Sequence, residues 1–293
     1  MKYTRGLLCL LLLFLGSGIL YAQNYYLLFL DGNAEIREKG KWHSLETGDT
    51  APAESTIRLS DGAIAEFDGE GDTVVFSSPG TYSLSTSALR PAKKQSSTAS
   101  SIFSRLSKAG GEASEGKSEV MGVRGSEAVQ AEEFTWMDED SAYFEEAIEA
   151  FSMRDYSLAL EILEHDVDPI VLDDQGSYWY YLAASYDSLG RRGPALKIVR
   201  NHKTENYSSV HNDYLFLRGR LYFESGSYKE AADAFGAFLE NERDPAKKQL
   251  AYYILGLARK ELGETGAGTD ALREAININA DAEITELARQ SNR

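Results

Sequence analysis

At 293 residues, with a formal charge of −16 and a single cysteine, the chain is long enough for two domains and too acidic to favour a nucleic-acid backbone as partner. The one thiol, Cys9, lies in the N-terminal apolar run. Disulfides, thiolate catalysis and cysteine-ligated metals are therefore excluded for everything that follows it.

Lys2 and Arg5 precede an apolar run from Leu7 to Leu15, Gly16-Ser17-Gly18 interrupt it, and Ala22 offers a small residue before Gln23. This layout predicts a secretory signal peptide over residues 1–22 and places the mature chain in the periplasm or exported cell envelope of a bacterium. An uncleaved anchor is the alternative. The run is shorter than the about 20 apolar residues that a span requires, and no later segment supplies one. Cys9 stands mid-run without cleavage-like residues before it, so it is not read as a lipid attachment site. The plain reading of the acidity is solubility.

Residues 25 to 87 read as short strands. Tyr25 to Leu30 is followed by Asp31-Gly32, and Lys39-Gly40-Lys41 marks a second turn. Asp61-Gly62 precedes Ala63 to Phe67, Asp68-Gly69-Glu70-Gly71 leads into Thr73 to Phe76, and Pro79-Gly80 leads into Thr81 to Leu84. β-rich runs punctuated by Asp-Gly or Pro-Gly predict hairpins in a small sandwich or barrel. Residues 88–118 turn to Ser, Ala, Gly and Lys, a composition that buries little and reads as a polar loop. Ile102, Phe103 and Leu106 are spaced for one short amphipathic turn. Arg90, Lys93, Lys94, Arg105 and Lys108 follow one another there with no acid between them, a basic loop suited to anionic lipid or to the chain's own acidic repeats.

From about residue 140 the apolar period becomes helical and a unit recurs. Ala147, Ala183, Gly219 and Gly256 occupy equivalent places. Gly190, Gly226 and Gly263 each follow seven residues after the small residue of their unit. Ala159, Ala195, Ala231 and Gly268 come next, then Leu163, Val199, Phe235 and Leu272. Small residues at these positions let two antiparallel helices cross closely, and the glycine accommodates the turn between them. A period in the mid-thirties with this grammar resembles the tetratricopeptide repeat. Four units are expected, starting near residues 140, 176, 212 and 249, with a helix over 281–291 covering the last apolar face. The resemblance implies an all-α solenoid from 140 to 293.

The β region resembles the FecR-type domain. The residues that carry this are Asp31-Gly32-Asn33-Ala34-Glu35-Ile36, Lys41-Trp42, Gly48-Asp49-Thr50, Ser55-Thr56-Ile57-Arg58, Asp61-Gly62 and Ser78-Pro79-Gly80-Thr81. Gly122-Val123-Arg124-Gly125 follows the polar loop. The resemblance implies a β domain over 25–134, with residues 119–134 returning as its last strand.

Motifs of chemistry are few. His43, His165, His202 and His211 show no zinc spacing. Asp68 to Asp72 lacks the later ligands of a calcium loop and reads as a hairpin tip. No nucleophile elbow or phosphate-cradling loop is present. No catalytic residue, cofactor or metal is expected, and a binding scaffold is the leading reading over an enzyme.

By the tetratricopeptide resemblance, the first helix of each unit lines a concave groove. Its lining positions fall at Phe144, Ile148 and Phe151; Tyr180, Ala184 and Asp187; Phe216, Arg220 and Phe223; and Tyr253, Leu257 and Lys260. Aromatic residues and arginine are the side chains that anchor protein interfaces, and packing between repeats is the competing role for Phe151 and Phe223. The expected occupant is a peptide or helix of an envelope protein. The alternative is cell-wall or carbohydrate binding through the β domain, for which Trp42 and Tyr82 are the aromatic candidates.

Overall fold

The computed structural model describes residues 24–69, 72–84, 139–204 and 208–293. The expected signal segment, the basic loop with Arg90, Lys93, Lys94, Arg105 and Lys108, and the returning strand over 119–134 lie outside the described residues.

Among the described residues the N-terminal region forms a pair of four-stranded antiparallel sheets, ordered β4-β1-β6-β7 and β3-β2-β5-β8. Its strands are β1 (Asn24–Asp31), β2 (Ala34–Glu38), β3 (Lys41–Ser44), β4 (Thr50–Pro52), β5 (Thr56–Leu59), β6 (Ile64–Gly69), β7 (Asp72–Phe76) and β8 (Gly80–Ser83). Alternation decides what each strand buries. Tyr25 and Leu27 of β1, Ile36 of β2, and Ile57 and Leu59 of β5 turn inward onto Phe67 and Leu84. Lys39 and Gly40 both take positive φ between β2 and β3, as a two-residue hairpin turn demands. Strand β6 departs from alternation: Ile64, Ala65, Glu66 and Phe67 are all buried. Ala65 and Phe67 belong to the β core, whereas Ile64 packs into the core of the helical region.

The C-terminal region is a helical array with nine α-helices among the described residues. They are α1 (Glu139–Ser152), α2 (Tyr156–His165), α3 (Gln175–Ser188), α4 (Arg192–Asn201), α5 (His211–Glu224), α6 (Tyr228–Asn241), α7 (Pro245–Glu261), α8 (Thr265–Ile278) and α9 (Ala282–Ser291). The first eight form four antiparallel pairs, and the arrangement fits a tetratricopeptide-type solenoid. Small residues sit at the crossings: Ala147, Ala183, Ala159, Ala195 and Ala231 have no exposed surface. A β-carbon on Gly219 would lie 2.9 Å from the Phe235 ring, and one on Gly256 would lie 2.7 Å from Leu272 Cγ.

Between the helices of each pair, Gly190, Gly226 and Gly263 adopt φ of 76°, 78° and 78°, the left-handed conformation that ends a helix without a β-carbon penalty. In the first pair Arg154 takes that place, with φ 63°. Asp155, Asp174, Asp244 and Asp281 cap α2, α3, α7 and α9 through their side chains. Pro245 stands in the first turn of α7, where its missing N–H costs nothing, so the last first-helix begins there rather than near 249.

The two regions are packed together. The first turn of α4 has no cap from its own N-terminal residue, Arg191. Glu66 supplies it from β6: Oε1 accepts the Arg192 N–H at 3.1 Å and Oε2 accepts the Gly193 N–H at 2.9 Å. Gly193 leaves room for this, since a β-carbon there would lie 2.6 Å from the Phe29 ring and 2.9 Å from Glu66 Oε2. Arg200 donates to the Gly62 carbonyl at 2.8 Å and the Ser77 carbonyl at 3.2 Å, and Lys197 pairs with Asp31 at 2.9 Å. Ser77 also bonds Ser227 Oγ at 2.8 Å, in the turn between α5 and α6.

Candidate partner-binding groove

The predicted groove residues fall into three structural groups. Phe144, Phe151 and Tyr180, on α1 and α3, are half-buried members of one aromatic cluster. The Phe144 ring lies 6.1 Å from Tyr181, and the Phe151 ring lies 5.2 Å from both Tyr156 and Tyr181 and 6.4 Å from Tyr180. Such edge-on contacts suit the charge distribution of aromatic rings. Burial first, then the nearby Asp213 carboxylate, raises the Tyr180 hydroxyl above its ordinary range. Phe216 on α5 is also half-buried and rests on Phe235 and Phe238, at 5.7 and 5.2 Å. Beside these rings, Lys247 of α7 and Asp213 of α5 form an exposed ion pair at 3.2 Å.

The second group is a network of charges. Arg220 pairs with Asp187 across α5 and α3 and with Glu224 at 3.6 Å along α5. Glu224 in turn meets Arg192 at 3.4 Å. These side chains are largely withdrawn from solvent: 15 % of Arg220 and 13 % of Asp187 remain exposed. Burial opposes the Arg220 charge, but Asp187 and Glu224 outweigh it and hold the guanidinium above its usual pKa. Arg220 and Asp187, expected as separate lining positions, thus come together as a clasp between two helices. Removing Arg220 would leave the largely buried Asp187 carboxylate without this cation, a structural injury.

The third group is enclosed. Phe223 is 5 % exposed and packs on Tyr228 at 5.6 Å. Tyr253 is 1 % exposed and Leu257 3 %. The cause at the C-terminal end is α9, which lies where the first helix of another unit would stack. Gln249 donates to Thr285 Oγ1 at 2.8 Å and to the Asp281 carbonyl at 3.0 Å. Lys260 donates to the Ser291 carbonyl in the last turn of α9, a favourable end for a cation. Phe223, Tyr253 and Leu257, expected in the lining, are thus enclosed: Phe223 packs within its own pair, while the half-buried Lys260 reaches across to the capping helix. No motif reports this, because the same residue types serve an open groove and a closed junction.

Of the β-domain candidates, Tyr82 donates its hydroxyl to the Ser78 carbonyl at 2.7 Å and packs its ring 4.6 Å from Phe76. Trp42 is half-buried on the solvent side of its sheet. The histidines stand apart. His202 stacks on Trp179 at 3.4 Å and His211 bonds Thr204 at 2.8 Å. His165 bonds the Glu161 carbonyl at 3.0 Å, and His43 is exposed. Among the described residues no group of side chains is placed to hold a metal ion, and no helix is long and apolar enough to cross a membrane.

Fold and site together describe a helical-repeat array with a β region packed on its side. No known protein family and no curated protein matches the chain. Nine chains of solved structures match. One, titled MamA MSR-1, aligns with a TM-score of 0.42 and 17 % identity over 52 % of this chain and 84 % of its own. A second, titled MamA AMB-1, gives 0.43 and 17 % over 52 % and 80 %. Likeness at this level is too slight to carry a function.

Proposed function

We propose that the protein is a non-enzymatic scaffold of the bacterial cell envelope whose first-helix face receives a peptide or helix of a partner protein. The observation that carries this reading is the row of half-buried rings Phe144, Phe151, Tyr180 and Phe216 beside the exposed Asp213–Lys247 pair. Apolar anchors flanked by a polar rim are the makings of a protein interface. The β region packs against α4, the second helix of its pair, and so occupies a different side of the array. The layout of residues 1–22 supports export, and the turn motifs from Asp31 to Thr81 support a FecR-type ancestry for the β region.

The test is site-specific photo-crosslinking in the native envelope. A crosslinker replacing Asp213 or Lys247 is expected to give a discrete adduct, whereas one replacing Lys229, on the opposite helix of its pair and 75 % exposed, gives none. Adducts from all three positions alike, or from Lys229 alone, would move the interface off the groove.

A further inference from the structure

The sheet β3-β2-β5-β8 turns its outer face to solvent, and its register assembles a second surface unrelated to the groove. Trp42 lies opposite Arg37, and Arg37 opposite Thr56. In the adjacent row Glu35 lies opposite Arg58, and Arg58 opposite Thr81. Side chains two residues apart share a face, so these six form a flat plate. The Arg58 guanidinium sits 4.5 Å from the centre of the Trp42 ring and pairs with Glu35. The Arg37 guanidinium lies 6.0 Å from the same ring and forms no ion pair among the described residues. Arg37, Arg58 and Thr81 are exposed, and Trp42 is half-buried.

We propose that this plate binds a carboxylate-bearing glycan chain. Four features point to that chemistry. The surface is flat and open, which suits a polymer lying across it better than a small molecule that needs enclosure. The Trp42 indole holds the Arg58 guanidinium over its ring, and the threonine hydroxyls beside it are partners for sugar hydroxyls. Guanidinium groups match carboxylates in a planar, two-pronged fashion. Finally, two arginines against one acid form a locally cationic site in a chain of net charge −16, and a bound carboxylate would satisfy Arg37. The repulsion from distant acids is screened beyond about 8 Å at physiological salt, so the local balance governs contact. This inference stands independently of the groove.

Affinity electrophoresis of the full chain tests it, with polygalacturonate, neutral dextran or poly-glutamate cast into the gel. Polygalacturonate is expected to retard the wild type, and dextran and poly-glutamate are not. Arg37→Ala and Trp42→Ala should each weaken retardation at least tenfold, Trp42→Phe should retain most of it, and Lys229→Ala should leave it unchanged. Arg37→Ala removes one exposed charge, and an unchanged melting temperature separates lost binding from lost folding. The proposal is overturned by mobility unaffected by polygalacturonate, by retardation that survives Arg37→Ala and Trp42→Ala, or by equal retardation in poly-glutamate, which would show that the plate reads charge alone.

Discussion

Glu66 is the residue on which the two regions meet, and its chemistry sets a pH response opposite to that of most carboxylates. Burial raises its pKa above the ordinary value of 4.5, against the lowering effect of the Gly193 and Arg192 N–H groups and the charges of Arg192 and Arg191. The folded form therefore holds the Glu66 proton more tightly than the unfolded form. By linkage its contribution to stability improves as pH falls from neutral through the raised pKa, and is complete below 4.5. Comparing urea unfolding of wild type and Glu66→Gln across that window isolates the effect. The difference should shift in favour of wild type as pH falls, and a difference that stays flat or moves the other way contradicts the assignment. Sequence alone did not single out Glu66. In Ile64-Ala65-Glu66-Phe67 it reads as the polar member of an alternating strand, and only the approach of a helix start 126 residues away gives it a partner.

At the scale of elements, legibility depended on whether the signal was local. The left-handed glycines at 190, 226 and 263 and the small residues at the crossings are demands of one helix pair on itself, and they recur, so periodicity exposes them. The first pair reads more weakly because Arg154 holds the conformation that glycine holds elsewhere. The glycines also differ in a way that sequence cannot distinguish. Gly219 faces Phe235 at contact distance, whereas Gly236 in α6 has nothing within 4 Å of the position of its missing β-carbon. Gly219→Ala is expected to overpack the crossing and cost about 1–3 kcal/mol. Gly236→Ala should stabilise by about 0.5–1 kcal/mol through helix propensity. Denaturant midpoints measure both, and two changes of the same sign would mean that the crossings are looser than described. The groove was only partly legible for a related reason. Phe144, Phe151, Tyr180 and Phe216 keep some exposure, but Phe223 and Tyr253 carry the same side-chain chemistry in enclosed places, decided by Tyr228 and by the capping helix.

For the molecule as a whole, the sequence distinguishes a β-rich region from a helical one, but it contains no sign of how they join. That junction is built from unremarkable residues: Asp31, Gly62, Glu66 and Ser77 on one side, and Lys197, Arg200, Ser225 and Ser227 on the other. Its consequence concerns how the array comes apart. A free-standing solenoid is held by nearest-neighbour contacts, so opening spreads inward from its ends in small steps. Here the β region bridges the second and third pairs from the side, a bond outside the nearest-neighbour chain. Amide hydrogen exchange should then show α4, α5 and β6 opening as one cooperative unit with matched protection, while α1, α2 and α9 exchange faster. Graded protection along the array, with β6 exchanging on its own, would show that the bridge is too weak to merge them. If they do merge, the least yielding part of the molecule is the seam between its two regions, and an event at either one is mechanically audible at the other.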